Sequence, residues 1–172
     1  HNYVMNISNA GHFHFKDMTF YSNGVQTASN VVTISDASDI RFDGVTFRVL
    51  GSINNAGSSC IVVGNGVDGL TLFNCDIDSG YYSLFAVASL LGDITNVTVD
   101  SCRIEGFYSQ GLVLTNVNGI TISRNNIHAG VNVSGRALTG IYVEGSQASL
   151  LIEKNFINIS DITNGAKTGI VL

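Results

Sequence analysis

The chain has 172 residues and is 45% hydrophobic, which is enough to fill a core and excludes a simply disordered protein. Its net charge is −5, and its eight Lys and Arg residues cannot supply the clustered cations that nucleic acid binding needs. No apolar run approaches the roughly 18–20 residues of a membrane-spanning helix, so no membrane span is predicted.

The length predicts a single domain over residues 1–172, since domains commonly have about 100–200 residues. The chain opens at His1 without a signal peptide and closes within an apolar, strand-like run at Ile170–Leu172. A domain seldom leaves such a strand exposed at its end. We therefore expect this sequence to be a segment of a longer protein.

An eight-residue motif recurs six times along the chain. Apolar residues occupy its positions 1, 3, 6 and 8, with Asn or Cys at position 6 in several copies. The period of two predicts strands, and the break between positions 3 and 6 predicts a tight turn between two of them. The copies are Phe13–Phe20, Ile40–Phe47, Leu70–Ile77, Val97–Ile104, Ile120–Ile127 and Leu150–Ile157.

A further short apolar strand precedes the later copies, and three of these strands begin with glycine, at Gly111, Gly140 and Gly169. Ile and Val dominate over Leu, as is typical of sheets. Each repeat is therefore predicted to contain three short strands and one longer loop of variable length. The additional strands are Val32–Ile34, Ile61–Val63, Leu84–Val87, Leu112–Leu114 and Ile141–Val143.

This pattern resembles the right-handed parallel β-helix, the solenoid family of pectate-lyase-like and other polysaccharide-active repeats. The resemblance implies an all-β fold, a right-handed single-stranded parallel β-helix of about six to seven coils with three short strands per coil. It favours an extracellular or cell-surface location, or a place in a virion tail. It implies no particular activity, because many functions use this solenoid.

The leucine-rich repeat is the alternative architecture, because Val117–Ile127 also fits its template. Three observations weigh against it. Ile and Val exceed Leu at the apolar positions, each repeat carries an additional strand, and the connectors lack a helical period.

Position 6 of the motif predicts an inward row at the bend, because equivalent residues of successive coils stack about 4.8 Å apart. Asn125 and Asn155 are expected to hydrogen-bond each other and the turn backbone. Cys75 and Cys102 lie in the same row, where we expect two small buried thiols; a disulfide or metal site is the alternative.

The outward positions of the first strand are predicted to form an apolar stripe. Its residues are Thr33, Val62, Ala86, Val113, Tyr142 and Val171. An exposed stripe of this kind often marks an interface. We therefore expect that a neighbouring copy, in a homo-oligomer formed through Val62, Val113, Tyr142 and Val171, or a loop covers the stripe.

One dense polar cluster lies on the first two coils, and its candidate catalytic residues are His12, His14, Asp39, Arg41 and Asp43. Stacking is expected to place His12 beside Asp39 and Lys16 beside Asp43. A base with an orienting carboxylate, and an arginine that neutralises a uronate, would suit lyase chemistry. Charge pairing between strands is the simpler interpretation, and a metal held by His-x-His is another. We predict no metal and no cofactor.

Aromatic residues in the loops of two consecutive coils are predicted to meet at one corner. They are Tyr81, Tyr82, Phe107 and Tyr108. Aromatic faces stack on the apolar faces of sugar rings, so these four are the candidate glycan-binding residues.

We expect a non-catalytic extracellular β-helix module, because no catalytic motif of the resembled family is present. It would be a rigid stalk or glycan-facing segment of a surface adhesin, a phage tail protein or a larger carbohydrate-active protein. Its expected partner is a polysaccharide or cell-surface glycan. The alternative is a polysaccharide lyase or glycoside hydrolase acting on an extracellular glycan.

Overall fold

The structure, a computed structural model, describes residues 3–23, 30–50, 54–90, 93–129, 136–145, 149–159 and 165–172. Within these ranges all regular structure is β-strand, and every strand pairing is parallel. The predicted all-β parallel solenoid is confirmed. The leucine-rich alternative is wrong, because a second stacked sheet lies where a horseshoe would have helical connectors.

One large sheet has two arms, and a separate, smaller sheet stacks beside them; we call it the third sheet, because it adds a third side to the two arms. Two long strands run through both arms, namely β1 (Tyr3–Lys16) and β3 (Asn30–Asp43). The other strands of the first arm are β5 (Ile61–Val63), β8 (Tyr82–Val87), β11 (Gln110–Thr115), β14 (Leu138–Glu144) and β17 (Lys167–Val171). The other strands of the second arm are β6 (Val67–Phe73), β9 (Ile94–Asp100), β12 (Val117–Ser123) and β15 (Leu150–Glu153). The third sheet contains β2 (Thr19–Ser22), β4 (Thr46–Val49), β7 (Asp76–Asp78), β10 (Arg103–Glu105), β13 (Asn126–His128) and β16 (Phe156–Asn158).

The number of turns is smaller than predicted. The third sheet has six strands, and the chain makes about five full turns from its first strand to its last. Each turn runs from one motif copy to the next, so six copies enclose five complete turns. The predicted number of six to seven coils is therefore slightly too high.

In each of the first two coils, two of the three predicted short strands are joined into one long strand. β1 and β3 are each 14 residues long and pass through the corner between the arms. Asn9 and Asp36 lie at that corner with φ of 51° and 48°, so the strand bends there without losing its pairing.

The bend after position 3 of the motif is the same in all six copies. Its position-5 residue has φ between 50° and 63°, in the left-handed region that glycine and asparagine tolerate best. The residues are Asp17, Gly44, Asn74, Ser101, Arg124 and Lys154. This backbone geometry explains why the apolar alternation breaks between positions 3 and 6.

The row at position 6 fastens the bends of the later coils to one another. Asn125 is buried, and its Oδ1 accepts the backbone N–H of Cys102 at 2.8 Å. Its Nδ2 donates to the Val99 carbonyl and to Asn155 Oδ1, both at 2.9 Å. Asn155 repeats the pattern by donating to the Ile122 carbonyl at 2.8 Å. The predicted inward, hydrogen-bonded asparagines are confirmed.

The cysteines at position 6 take the same place as the asparagines. Cys102 Sγ accepts the backbone N–H of Cys75 at 3.4 Å and donates to the Leu72 carbonyl at 3.5 Å. Both thiols are buried and free, so the structure bears out buried thiols and not a disulfide. The hydrogen bond to Cys75 and, after it, burial raise the pKa of the Cys102 thiol, which keeps it protonated.

The outward row of the first arm corrects one predicted residue. Val62 pairs with Phe85, and Phe85 pairs with Val113, so Phe85 faces outward. Ala86 faces inward and is buried. The assignment of Ala86 to the outward stripe is wrong because Leu84, its neighbour two residues earlier, fills the core on the same side.

Replacing Asn125 with leucine should lower the free energy of unfolding by about 1–3 kcal/mol, because the buried Cys102 N–H and Val99 carbonyl lose their partner. Urea denaturation measures the change. Asn126→Leu is the matched control, since Asn126 is the next residue and is exposed. Equal stability of the two variants would contradict the role of the row.

Candidate functional site

The polar cluster of the first two coils divides into two groups, one of which is a histidine–aspartate pair. His12 Nδ1 lies 2.9 Å from Asp39 Oδ2, as their stacking predicts. Their side chains are 84% and 74% exposed, so water surrounds the pair. Both residues have left-handed backbones, as do Gly69, Asn96 and Gly119 at the same place in later coils. The geometry at His12 is therefore a feature of the stack.

The second group centres on the Asp43 carboxylate. Asp43 Oδ2 lies 3.3 Å from Arg41 Nη2 and 3.7 Å from His14 Nε2. Lys16 is level with Asp43 in the strand register, as the stacking predicts, and the side chains that contact the Asp43 carboxylate are those of Arg41 and His14. Nowhere in the described ranges do three His, Cys, Asp or Glu side chains come together as a metal site requires. The cluster is thus two small charge networks between coils.

Charges on the outer side of the third sheet also pair between coils. Arg103 contacts Asp76 at 2.5 Å and Glu105 at 2.7 Å, and Arg48 Nε lies 2.7 Å from Asp78 Oδ2. The hydrogen bond that Arg103 donates to Asp76 raises the pKa of Arg103. These side chains are partly exposed, so each pair adds only a few tenths of a kcal/mol to about 1 kcal/mol of stability.

Aromatic side chains meet at the corner where the chain leaves the third sheet and enters β8. Tyr82 and Phe85 stack with ring centroids 4.7 Å apart and planes 18° apart. Tyr81 meets Tyr82 edge to face, also at 4.7 Å. All three rings are half-buried, so part of each faces solvent. We call Tyr81, Tyr82 and Phe85 the aromatic cluster.

Two of the four predicted glycan-binding residues do not belong to this surface. Phe107 is fully buried in the core, so its assignment to sugar contact is wrong. Its ring fills the space beside Gly111, where an added Cβ would lie 3.2 Å from the ring. Tyr108 is also buried, and the Arg136 guanidinium covers its ring at 3.3 Å. Phe85, which the sequence analysis did not select, takes their place.

The outward stripe of the first arm is continuous with the aromatic cluster. In strand register it runs Thr33, Val62, Phe85, Val113, Tyr142 and Val171. Val113 points away from the core but is only 4% exposed, between the larger Phe85 and Tyr142. The Tyr142 hydroxyl donates to Glu144 Oε2 at 2.8 Å, which raises the pKa of Tyr142. Tyr142 therefore combines a ring with a neighbouring carboxylate.

The chain matches no model of a known protein family, no curated protein and no solved structure. The described residues include no helix that could span a membrane.

Phe107→Ala should lower the free energy of unfolding by about 3–5 kcal/mol, because it removes a fully buried ring. Chemical denaturation measures the loss. Tyr21→Ala is the control on an exposed ring and should change stability by less than about 0.5 kcal/mol. Similar values for both variants would place Phe107 at the surface.

Proposed function

We propose that this chain is a non-catalytic β-helix module that binds a glycan at the aromatic cluster. The observation that carries the proposal is the stacked pair of Tyr82 and Phe85, with Tyr81 against its edge. Partly exposed rings held on a strand offer an apolar face to the C–H side of a sugar ring. The tyrosine hydroxyls can add hydrogen bonds to the sugar hydroxyls.

Polar side chains continue from Tyr82 along the solenoid axis. Gln110 is level with Tyr82, Thr139 is level with Gln110, and Thr168 follows in the next strand. These side chains repeat about every 4.8 Å and offer amide and hydroxyl groups. A glycan chain that runs parallel to the axis would thus meet a ring first and hydrogen-bonding groups after it.

The resemblance of the repeat to pectate-lyase-like solenoids supports an extracellular setting for this module. It would serve as a stalk or a glycan-facing segment of a surface adhesin, a phage tail protein or a larger carbohydrate-active protein. A stack of about five turns, fastened by inter-coil hydrogen bonds, suits a rigid spacer.

Tyr82→Ala should weaken glycan binding about tenfold, since one stacking contact is worth roughly 1.4 kcal/mol. Affinity electrophoresis in gels that contain dextran, galactomannan or xyloglucan measures retardation of the protein. Tyr3→Ala, on β1, is the control for loss of an exposed tyrosine ring. Retardation by none of the polysaccharides, or equal retardation of Tyr82→Ala and wild type, would argue against the proposal.

A polysaccharide lyase or hydrolase is the second candidate, and the contact between His12 and Asp39 favours it. The carboxylate holds Nδ1 of the imidazole and leaves Nε2 directed elsewhere, as a general base requires. Release of unsaturated or shortened oligosaccharides by the wild type, and its loss in His12→Ala, would establish this activity in place of simple binding.

We further propose that the outward stripe mediates self-association through Val62, Val113, Tyr142 and Val171. Val113 is nearly covered within one copy, whereas Val62, Tyr142 and Val171 are half-buried and supply the free apolar contact.

Val171→Lys should shift the protein toward monomer, because a charge would be buried at the contact. Sedimentation velocity at several concentrations measures the shift. Thr168→Lys adds the same charge to the same strand outside the stripe and serves as the control. A concentration-independent monomer in the wild type would refute self-association.

A further inference from the structure

The third sheet carries a hollow that neither proposed surface uses. It lies where β2, β4 and β7 run side by side, and its volume is about 310 Å³. This is near the lower limit of small-molecule sites, about 300 Å³, so it suits one or two sugar-sized rings. Its lining residues are Thr19, Tyr21, Thr46, Arg48, Leu50 and Asp76. We call it the third-sheet cavity.

Asp76 provides the cavity with a carboxylate acceptor. Its Oδ2 accepts a hydrogen bond from Arg103 Nη2 at 2.5 Å, while its Oδ1 is covered from solvent and has no hydrogen-bond partner in the part of the chain that the structure describes. The Asp76 side chain is 28% exposed, and an ionised carboxylate oxygen accepts more than one hydrogen bond, so a ligand hydroxyl in the cavity has an acceptor at Oδ2.

Other polar groups complete the hydrogen-bonding set. Arg48 Nε lies 2.7 Å from Asp78 Oδ2, which fixes the guanidinium at the cavity, and the Arg48 side chain is still 43% exposed. Thr19 and Thr46 are level in adjacent strands and add two hydroxyls. The cavity thus offers donors and acceptors together, as a ligand with several hydroxyl groups requires.

The apolar part of the lining consists of Tyr21 and Leu50. They are 57% and 54% exposed, although both are large hydrophobic side chains at the rim of a polar hollow. An exposed apolar patch surrounded by polar groups marks a binding surface. A pyranose ring has the complementary character, with an apolar C–H face and hydroxyls around its edge.

We propose that the third-sheet cavity binds one neutral hexopyranose unit. The ring would lie against Tyr21 and Leu50, one hydroxyl would donate to Asp76 Oδ2, and another would accept from Arg48. The sugar is neutral because both nearby cations already have partners, Arg48 with Asp78 and Arg103 with Asp76. A uronate would bring its charge next to those carboxylates. The inference shares the ligand class of the proposed function but uses none of the residues of the aromatic cluster.

Ligand-observed NMR titration with the methyl pyranosides of glucose, mannose and galactose tests the proposal. We expect at least one to bind, with a Kd that rises at least tenfold in both Tyr21→Ala and Asp76→Asn. Phe156→Ala is the matched control, because Phe156 is an exposed ring at the far end of the same sheet, and it should leave the Kd unchanged. Tyr21→Ala keeps the test valid if Asp76→Asn disturbs the ion pair with Arg103.

Three results would overturn the proposal: no binding of any of the three glycosides, binding that Tyr21→Ala leaves intact, or tighter binding of methyl glucuronide than of methyl glucoside. Tyr82→Ala separates this inference from the proposed function. Loss of binding in Tyr82→Ala alone would support the aromatic cluster and reject the cavity. Loss in Tyr21→Ala alone would do the reverse.

Discussion

Every described strand depends on a neighbouring coil. Most strands are only three to seven residues long, too short to be stable alone, and their ladder hydrogen bonds run to neighbouring coils. At the bend after position 3 backbone hydrogen bonds between coils continue on both sides, and in the later coils a position-6 side chain accepts the backbone N–H that lies between them. Asn125 does so by taking the Cys102 N–H and giving its own amide protons to Val99 and Asn155. Stability is therefore a property of contacts between coils.

The same stacking decides which surfaces remain available for binding. Outward charges are mostly engaged with the next coil, as Arg103 is with Asp76 and Glu105, so they stabilise the stack and have little left for a partner. Binding capacity arises where the stack brings unlike residues together. Tyr82 meets Phe85 at a corner, and Tyr21 closes a hollow over Asp76.

Alternation along the chain predicts the strands and the bend, because both depend only on which side of a strand each residue occupies. It cannot decide which residues of Leu84–Val87 face outward, because every residue there is apolar. The sequence pattern assigns Ala86 to the outward stripe, whereas the strand register places Phe85 there, between Val62 and Val113. Alternation also gives no prediction at the corners between strands, where the period of two is absent. Phe107 turns inward because Gly111 leaves room for its ring, which is a contact between distant residues with no local signal.

The left-handed residue at position 5 shows how far the stack controls its own backbone. Asp, Gly, Asn, Ser, Arg and Lys all adopt the same φ there, although Arg124 and Lys154 gain nothing locally from it. The conformation is imposed by the neighbouring coils, so glycine, polar and charged residues all occur there, whereas a β-branched residue would be strained. This corner is consequently a row of positions about 4.8 Å apart that carries several types of side chain on one backbone conformation. Such a row is a natural attachment line, along which charges, labels or recognition groups can be arranged at a fixed spacing without redesign of the fold.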